Sequence, residues 1–92
     1  IFNGTEAREM GFVTRVVDDP RAAALETARE IASKSPDAMR ANKRLLNAAV
    51  AIDAAAGLMM ESVEQQKLIG SKNQIEAVMS QMEQRKADFV DP

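Results

Sequence analysis

The run from Ser35 to Ala56 opens Ser35-Pro36-Asp37 and continues through Lys43-Arg44-Leu45-Leu46 with no glycine and no second proline. Such a run predicts one helix, the longest of the chain, ended by Gly57. Ser35 can cap the first turn with its hydroxyl, Pro36 sits where a missing N–H costs nothing, and Asp37 favours the positive end of the helix dipole. Met39, Leu46, Ala49 and Val50 fall on one stripe, and Leu45, Ala48 and Ile52 widen it along a neighbouring line. A face that broad needs more than one partner, so the other elements are expected to cover this helix.

At 92 residues the chain is expected to form one small domain. Aliphatic, Ala and Met residues dominate its apolar content, and Phe2, Phe12 and Phe89 are the only aromatics. That balance favours helix over sheet. The net charge of −2 comes from interleaved acids and bases, which argues against nucleic acid as a partner, since phosphate binding needs a concentrated basic surface. With no Cys and no His, the chain alone has no disulfide, thiolate, ordinary zinc or imidazole chemistry. No apolar run approaches the roughly 20 residues that span a bilayer. No export signal stands at the start, so a cytoplasmic protein without a membrane partner is expected. Because residue 1 is Ile rather than Met, the chain is expected to be the surviving part of something longer.

In chain order, Thr5 reads as the cap of a short helix over Glu6–Met10, closed by Gly11 in the left-handed region. Residues 12–17, rich in Val and Thr, read as a lone extended segment with no partner strand in the chain. Asp19 and Pro20 are the N-cap and first position of a helix reaching about Lys34, with Leu25, Ala28, Ile31 and Ala32 on its docking side. Beyond Gly57, a helix carrying Met59, Val63 and Leu68 or Ile69 on its apolar line runs to Gly70. Ser71 caps a last helix from Asn73 to about Ala87, with Ile75, Val78, Met79 and Met82 on one side and Phe89 continuing the line.

No carboxylate stands out as the desolvated group that a general acid requires. Glu61 and Glu64 share a helix face and are read as solvated, and Asp53 as a surface or interfacial acid. Lys43-Arg44 reads as ordinary surface charge. Arg85-Lys86, in the expected last turn of the final helix, offset its negative end and are also the candidate contacts for an anion such as phosphate.

Taken together, the segments Thr5–Val17, Ala28–Ala32, Ser35–Ala38 with Lys43–Asn47, and Glu83-Gln84-Arg85-Lys86-Ala87-Asp88-Phe89 resemble the C-terminal part of the enoyl-CoA hydratase/isomerase (crotonase) superfamily. The last of them resembles the family's terminal Glu-Lys-Arg-x-x-x-Phe, and the likeness extends over essentially the whole chain. The resemblance implies an all-α fold of four to five helices, the C-terminal helical oligomerisation domain, with the ββα spiral core absent. Residues 1–19 would link to that core and residues 20–92 would form the helical assembly region.

The same resemblance implies a parent that hydrates or isomerises enoyl-CoA thioesters. In such a parent, oxyanion-hole N–H groups meet the charge of a forming enolate while glutamates move the proton. Those groups belong to the missing part, so no catalytic residue is carried over, no cofactor is implied beyond coenzyme A in the substrate, and the chain alone is expected to be inactive. Self-association into trimers or hexamers and covering of the CoA pocket are implied as its own work. Gln84 stands where the family often has a Lys that reaches CoA phosphate, leaving Arg85 and Lys86 as the candidate substrate contacts. The family's Asp-x-x-Glu-Gly pattern appears here only as Asn73-Gln74-Ile75-Glu76-Ala77. The alternative is a free-standing helical protein-interaction module without catalytic activity.

Overall fold

A computed structural model describes all of residues 1–92, and it contains five helices and no strand. They are α1 (Gly4–Glu9), α2 (Pro20–Ala32), α3 (Pro36–Ala49), α4 (Ala54–Leu68) and α5 (Lys72–Met82). The chain divides into two units, Ile1–Glu30 and Ile31–Pro92.

In the first unit α1 is capped by Asn3, whose Oδ1 accepts the Glu6 N–H at 2.9 Å. The expected cap, Thr5, lies inside the helix, because the Asn3 side chain, one residue before Gly4, already meets the third amide. Gly11, at φ 82°, closes the helix. Its N–H reaches the Arg8 carbonyl at 3.0 Å and that of Phe12 reaches the Ala7 carbonyl at 2.9 Å, the paired bonds of a Schellman ending. That turn brings the Phe12 ring onto Phe2 with centroids 5.5 Å apart. Residues 12–17 form no ladder. Asp19 and Pro20 start α2 as their chemistry requires, with Asp19 Oδ1 taking the Ala22 N–H at 3.1 Å. The helix stops at Ala32, short of Lys34.

In the second unit the long Ser35–Ala56 helix is in fact two. α3 ends at Ala49, the chain turns at 50–53, and Asp53 caps α4 by accepting the Ala56 N–H at 2.8 Å. A strong N-cap in mid-run offers the backbone a fresh start, and the alanines around it do not oppose the break. α4, with 15 residues against 14 for α3, is therefore the longest helix, and Gly57 lies inside it instead of ending α3. Ser35 makes no side-chain cap bond; its hydroxyl donates to Asp37 Oδ1 at 3.2 Å, the nearer and charged acceptor.

α3 and α4 form a helical hairpin, across which Arg44 meets Glu64. A tight turn joins α4 to α5: Ile69 at φ −62°, ψ 124° and Gly70 at φ 81° let Ser71 N–H reach the Leu68 carbonyl at 3.0 Å. Ser71 Oγ then caps α5 through the Gln74 N–H at 3.2 Å. α5 ends at Met82, well before Ala87, because Gln84 enters the left-handed region at φ 52°. Its N–H and that of Arg85 fold back to the carbonyls of Gln81 and Ser80.

The expected coverage of α3 is only half met. Met39, Leu45 and Ala48 are half-buried, whereas Leu46 and Val50 are 71% and 93% exposed. Ala7 and Ala41 are the only buried apolar residues of the chain. The accessible surface is 7701 Å². Two self-contained bodies of the masses of these units would together expose roughly 6,200 Å².

Candidate functional site

Three features of the second unit bring chemistry-bearing or apolar side chains together. The first is an open apolar groove of about 370 Å³ at the hairpin end, lined by Leu45, Leu46, Ala49, Ile52, Gly57 and Leu58, with Glu61 on its wall. From Leu45 to Met60 the sequence holds one charged residue, Asp53, and its carboxylate is committed to capping α4. The groove therefore presents almost no group that could orient a polar ligand.

The second is the ion pair across the hairpin. Arg44 Nε and Nη2 reach the two carboxylate oxygens of Glu64 at 3.1 and 2.6 Å, and Lys67 approaches the same carboxylate at 3.5 Å. Glu64 is buried, 6% exposed, so reading it as solvated is corrected. The guanidinium hydrogen bonds hold the carboxyl below the usual range and raise Arg44 in turn. That direction is the opposite of what a general acid needs. Glu61 takes no part in this pair.

The third is the C-terminal segment, which is tied down by side chains. Asn73, 2% exposed, donates from Nδ2 to Asp37 Oδ1 at 2.6 Å and to the Val90 carbonyl at 2.7 Å. Its Oδ1 accepts the Val90 N–H at 2.9 Å. The bond from Asn73 is the main reason the Asp37 carboxyl lies below its ordinary value. Arg40 adds an exposed ion pair to Asp91 at 2.8 Å. One turn further along α5, Glu76 accepts both the Arg85 guanidinium, through Nη1 and Nη2, and the Asp88 N–H at 2.9 Å. Arg85 Nε also reaches Glu83 at 2.5 Å. These donors, Arg85 first, pull Glu76 down to about 2, and the two carboxylates push Arg85 up.

Arg85 and Lys86 thus lie beyond α5, not in its last turn, and their role as helix-end charges is corrected. Arg85 is engaged by two carboxylates, while the exposed Lys86 enters no ion pair. Asp53 is exposed, as read, but its work is capping. Reading the sequence for catalytic groups passes over Asn73 and Glu76. The signal that finds them is spacing: Asn73, Glu76 and Ser80 recur on one line of α5, and it is this polar line that turns inward.

The family model described as enoyl-CoA hydratase/isomerase matches residues 1–92. Methylglutaconyl-CoA hydratase, mitochondrial, of Mus musculus is 28% identical over 91 residues, covering 92% of this chain and 29% of that protein. The Homo sapiens protein of the same name is also 28% identical over 91 residues, covering 92% and 27%. Enoyl-CoA hydratase domain-containing protein 2, mitochondrial, of Mus musculus is 31% identical over 94 residues, covering 96% and 32%. The chain therefore spans about three-tenths of the length of these curated relatives, whose names place them in mitochondria and not in the cytoplasm expected above. No helix is long and apolar enough to cross a membrane. An all-helical chain matched by the family model from its first residue to its last belongs to the enoyl-CoA hydratase/isomerase family.

Proposed function

We propose that this chain is the C-terminal helical part of a crotonase-type enzyme acting on acyl-CoA thioesters, and that its own work is to join subunits. The observation that carries this reading is the imbalance of its apolar surface: Leu46, Val50, Leu58, Met59, Ile69 and Met82 are each at least 65% exposed, while Ala7 and Ala41 alone are buried. Apolar surface on that scale is removed from water by a partner. Trimers or hexamers are the assemblies in keeping with the family. In this reading residues 1–19 connect to a catalytic core and residues 20–92 form the assembly region.

The enolate-stabilising N–H groups and the acid/base glutamates of the hydration or isomerisation reaction would come from that core. Here the acids that are held tightly, Glu64 and Glu76, are bound to arginines and poorly suited to carry protons. Toward the CoA pocket, Lys86 is the exposed cation in place for a phosphate oxygen, and Arg85, held by Glu76 and Glu83, fixes the backbone beside it.

Sedimentation equilibrium of the purified chain, with an enoyl-CoA hydration assay on the same sample, tests the proposal. Self-association without turnover is expected. A monomer at high concentration overturns the assembly role, and turnover that survives repurification overturns the placing of the chemistry elsewhere.

A further inference from the structure

Beyond Gln84 the chain lies on the second unit as a bound peptide would. It leaves α5 through the left-handed Gln84, and after Arg85 no main-chain bond ties it to a helix. From Lys86 to Val90 its burial alternates: Ala87 and Phe89 are half-buried, whereas Lys86, Asp88 and Val90 are exposed. A period of two is the mark of an extended segment laid along a surface. The direction is antiparallel to α5, since Glu76 takes the Asp88 N–H and Asn73, one turn earlier in the helix, takes that of Val90.

What α5 recognises in this segment is main chain. The Asn73 amide pairs with both the N–H and the C=O of Val90, as the backbone of a neighbouring strand would, and Glu76 accepts the N–H two residues before. Asn73 is held in place from behind by its bond to Asp37 of α3. Such pairing is indifferent to the exposed side chains at 88 and 90. Selection among side chains is left to the half-buried Ala87 and Phe89 and to Arg40, whose guanidinium meets Asp91. Main-chain bonds for affinity and alternate side chains for selectivity are the division of labour found where proteins bind extended peptides.

We infer that the surface carrying Arg40, Asn73 and Glu76 is a binding site for an extended peptide, occupied in cis by residues 86–91, and that it accepts in trans a segment with a large apolar residue two positions before an acid. The inference goes beyond the assembly reading and holds whether or not copies of the chain associate. Its own segment is the competitor that an incoming peptide meets, because a short tether keeps the local concentration high. A free peptide therefore enters only once the tethered segment is weakened.

The test compares the parent chain with two double variants. Asp88→Pro with Val90→Pro removes the two N–H groups that α5 takes and leaves every residue of the site in place, whereas Asp88→Ala with Val90→Ala keeps both. Amide exchange in residues 86–92 is expected to stay within about threefold of the parent in the alanine variant and to rise at least about tenfold in the proline variant. Far-UV circular dichroism is expected to be unchanged in both. A capped peptide of residues 86–92, added at about 1 mM, is then expected to return the NMR signals of the Asn73 side-chain amide in the proline variant toward their parent positions. It should leave the parent chain unmoved, and Asp91→Lys in the peptide should weaken its effect. Equal release in the alanine variant would show that side chains hold the segment, and loss of helix in the proline variant that the segment is a structural part of the fold. No response of the proline variant to the peptide would mean that only the covalent tether keeps the segment in place. Each of these three results overturns the inference.

Discussion

Asn73 commits its whole side-chain amide: both Nδ2 hydrogens are donated, to Asp37 and to the Val90 carbonyl, and Oδ1 receives the Val90 N–H. An aspartate of the same shape would lose both donors and set a second negative charge against Asp37. Asn73→Asp is therefore expected to cost about 2–3 kcal/mol, read as a fall in the urea midpoint, and to raise amide exchange in residues 87–92. Glu76 makes the matching prediction in pH. Its folded value of about 2 lies below the ordinary 4.5, so its stabilising contribution is present above the ordinary value and is lost as pH falls toward the folded one. The stability difference between the parent chain and Glu76→Gln should narrow steadily from pH 5 to pH 2. A difference that stays constant over that range would show that the carboxylate charge does not hold Arg85. Asn73 and Glu76 enter the sequence reading only as a departure from the family's Asp-x-x-Glu-Gly pattern, because a catalytic acid calls for a desolvated carboxylate and neither residue reads as one. These two are instead polar groups whose partners lie up to 36 positions away, and no local spacing shows such partners.

At the scale of elements, the helices that local chemistry specifies were legible: Asp19-Pro20 starting α2, Ser71 starting α5, Gly11 and Gly70 turning the chain. The errors came where two local signals competed. At Asp53 the continuing alanines suggested one helix, and the cap won. Asp53→Ala should accordingly cost about 1 kcal/mol and fray the first turn of α4, visible as lost amide protection at Ala56 and Gly57. At the end of α5 the error had the opposite sense: a residue with a Cβ, Gln84, occupies a turn that glycine normally makes. Gln84→Gly should raise stability by roughly 0.5–1 kcal/mol, the relief of left-handed strain less the added freedom of the unfolded chain. A lower melting temperature in that variant would mean that the Gln84 side chain makes a contact worth more than its strain.

For the molecule as a whole, the apolar stripes were readable from spacing, but not the direction they face. Periodicity says that Ile75, Val78, Met79 and Met82 share a side, and only the polar clasp of Asn73 and Glu76 decides that this side turns outward. The groove is invisible in the sequence for a related reason, since it exists only once the Asp53 break folds α4 back against α3. If these outward surfaces drive assembly, the association must carry the thermal signature of apolar burial. Its heat capacity change should be negative, on the order of 0.2 kcal/mol/K per subunit for an interface of standard size. Dilution calorimetry at two temperatures 20 °C apart, about ambient, measures it as a change in the heat of dissociation. Sulfate should tighten the association by exclusion from the surface, whereas sodium chloride should change it little, since the exposed apolar surfaces around the groove carry almost no charge. An association that sodium chloride abolishes, with no heat capacity change, would be electrostatic, and the exposed ridges would then have no part in it.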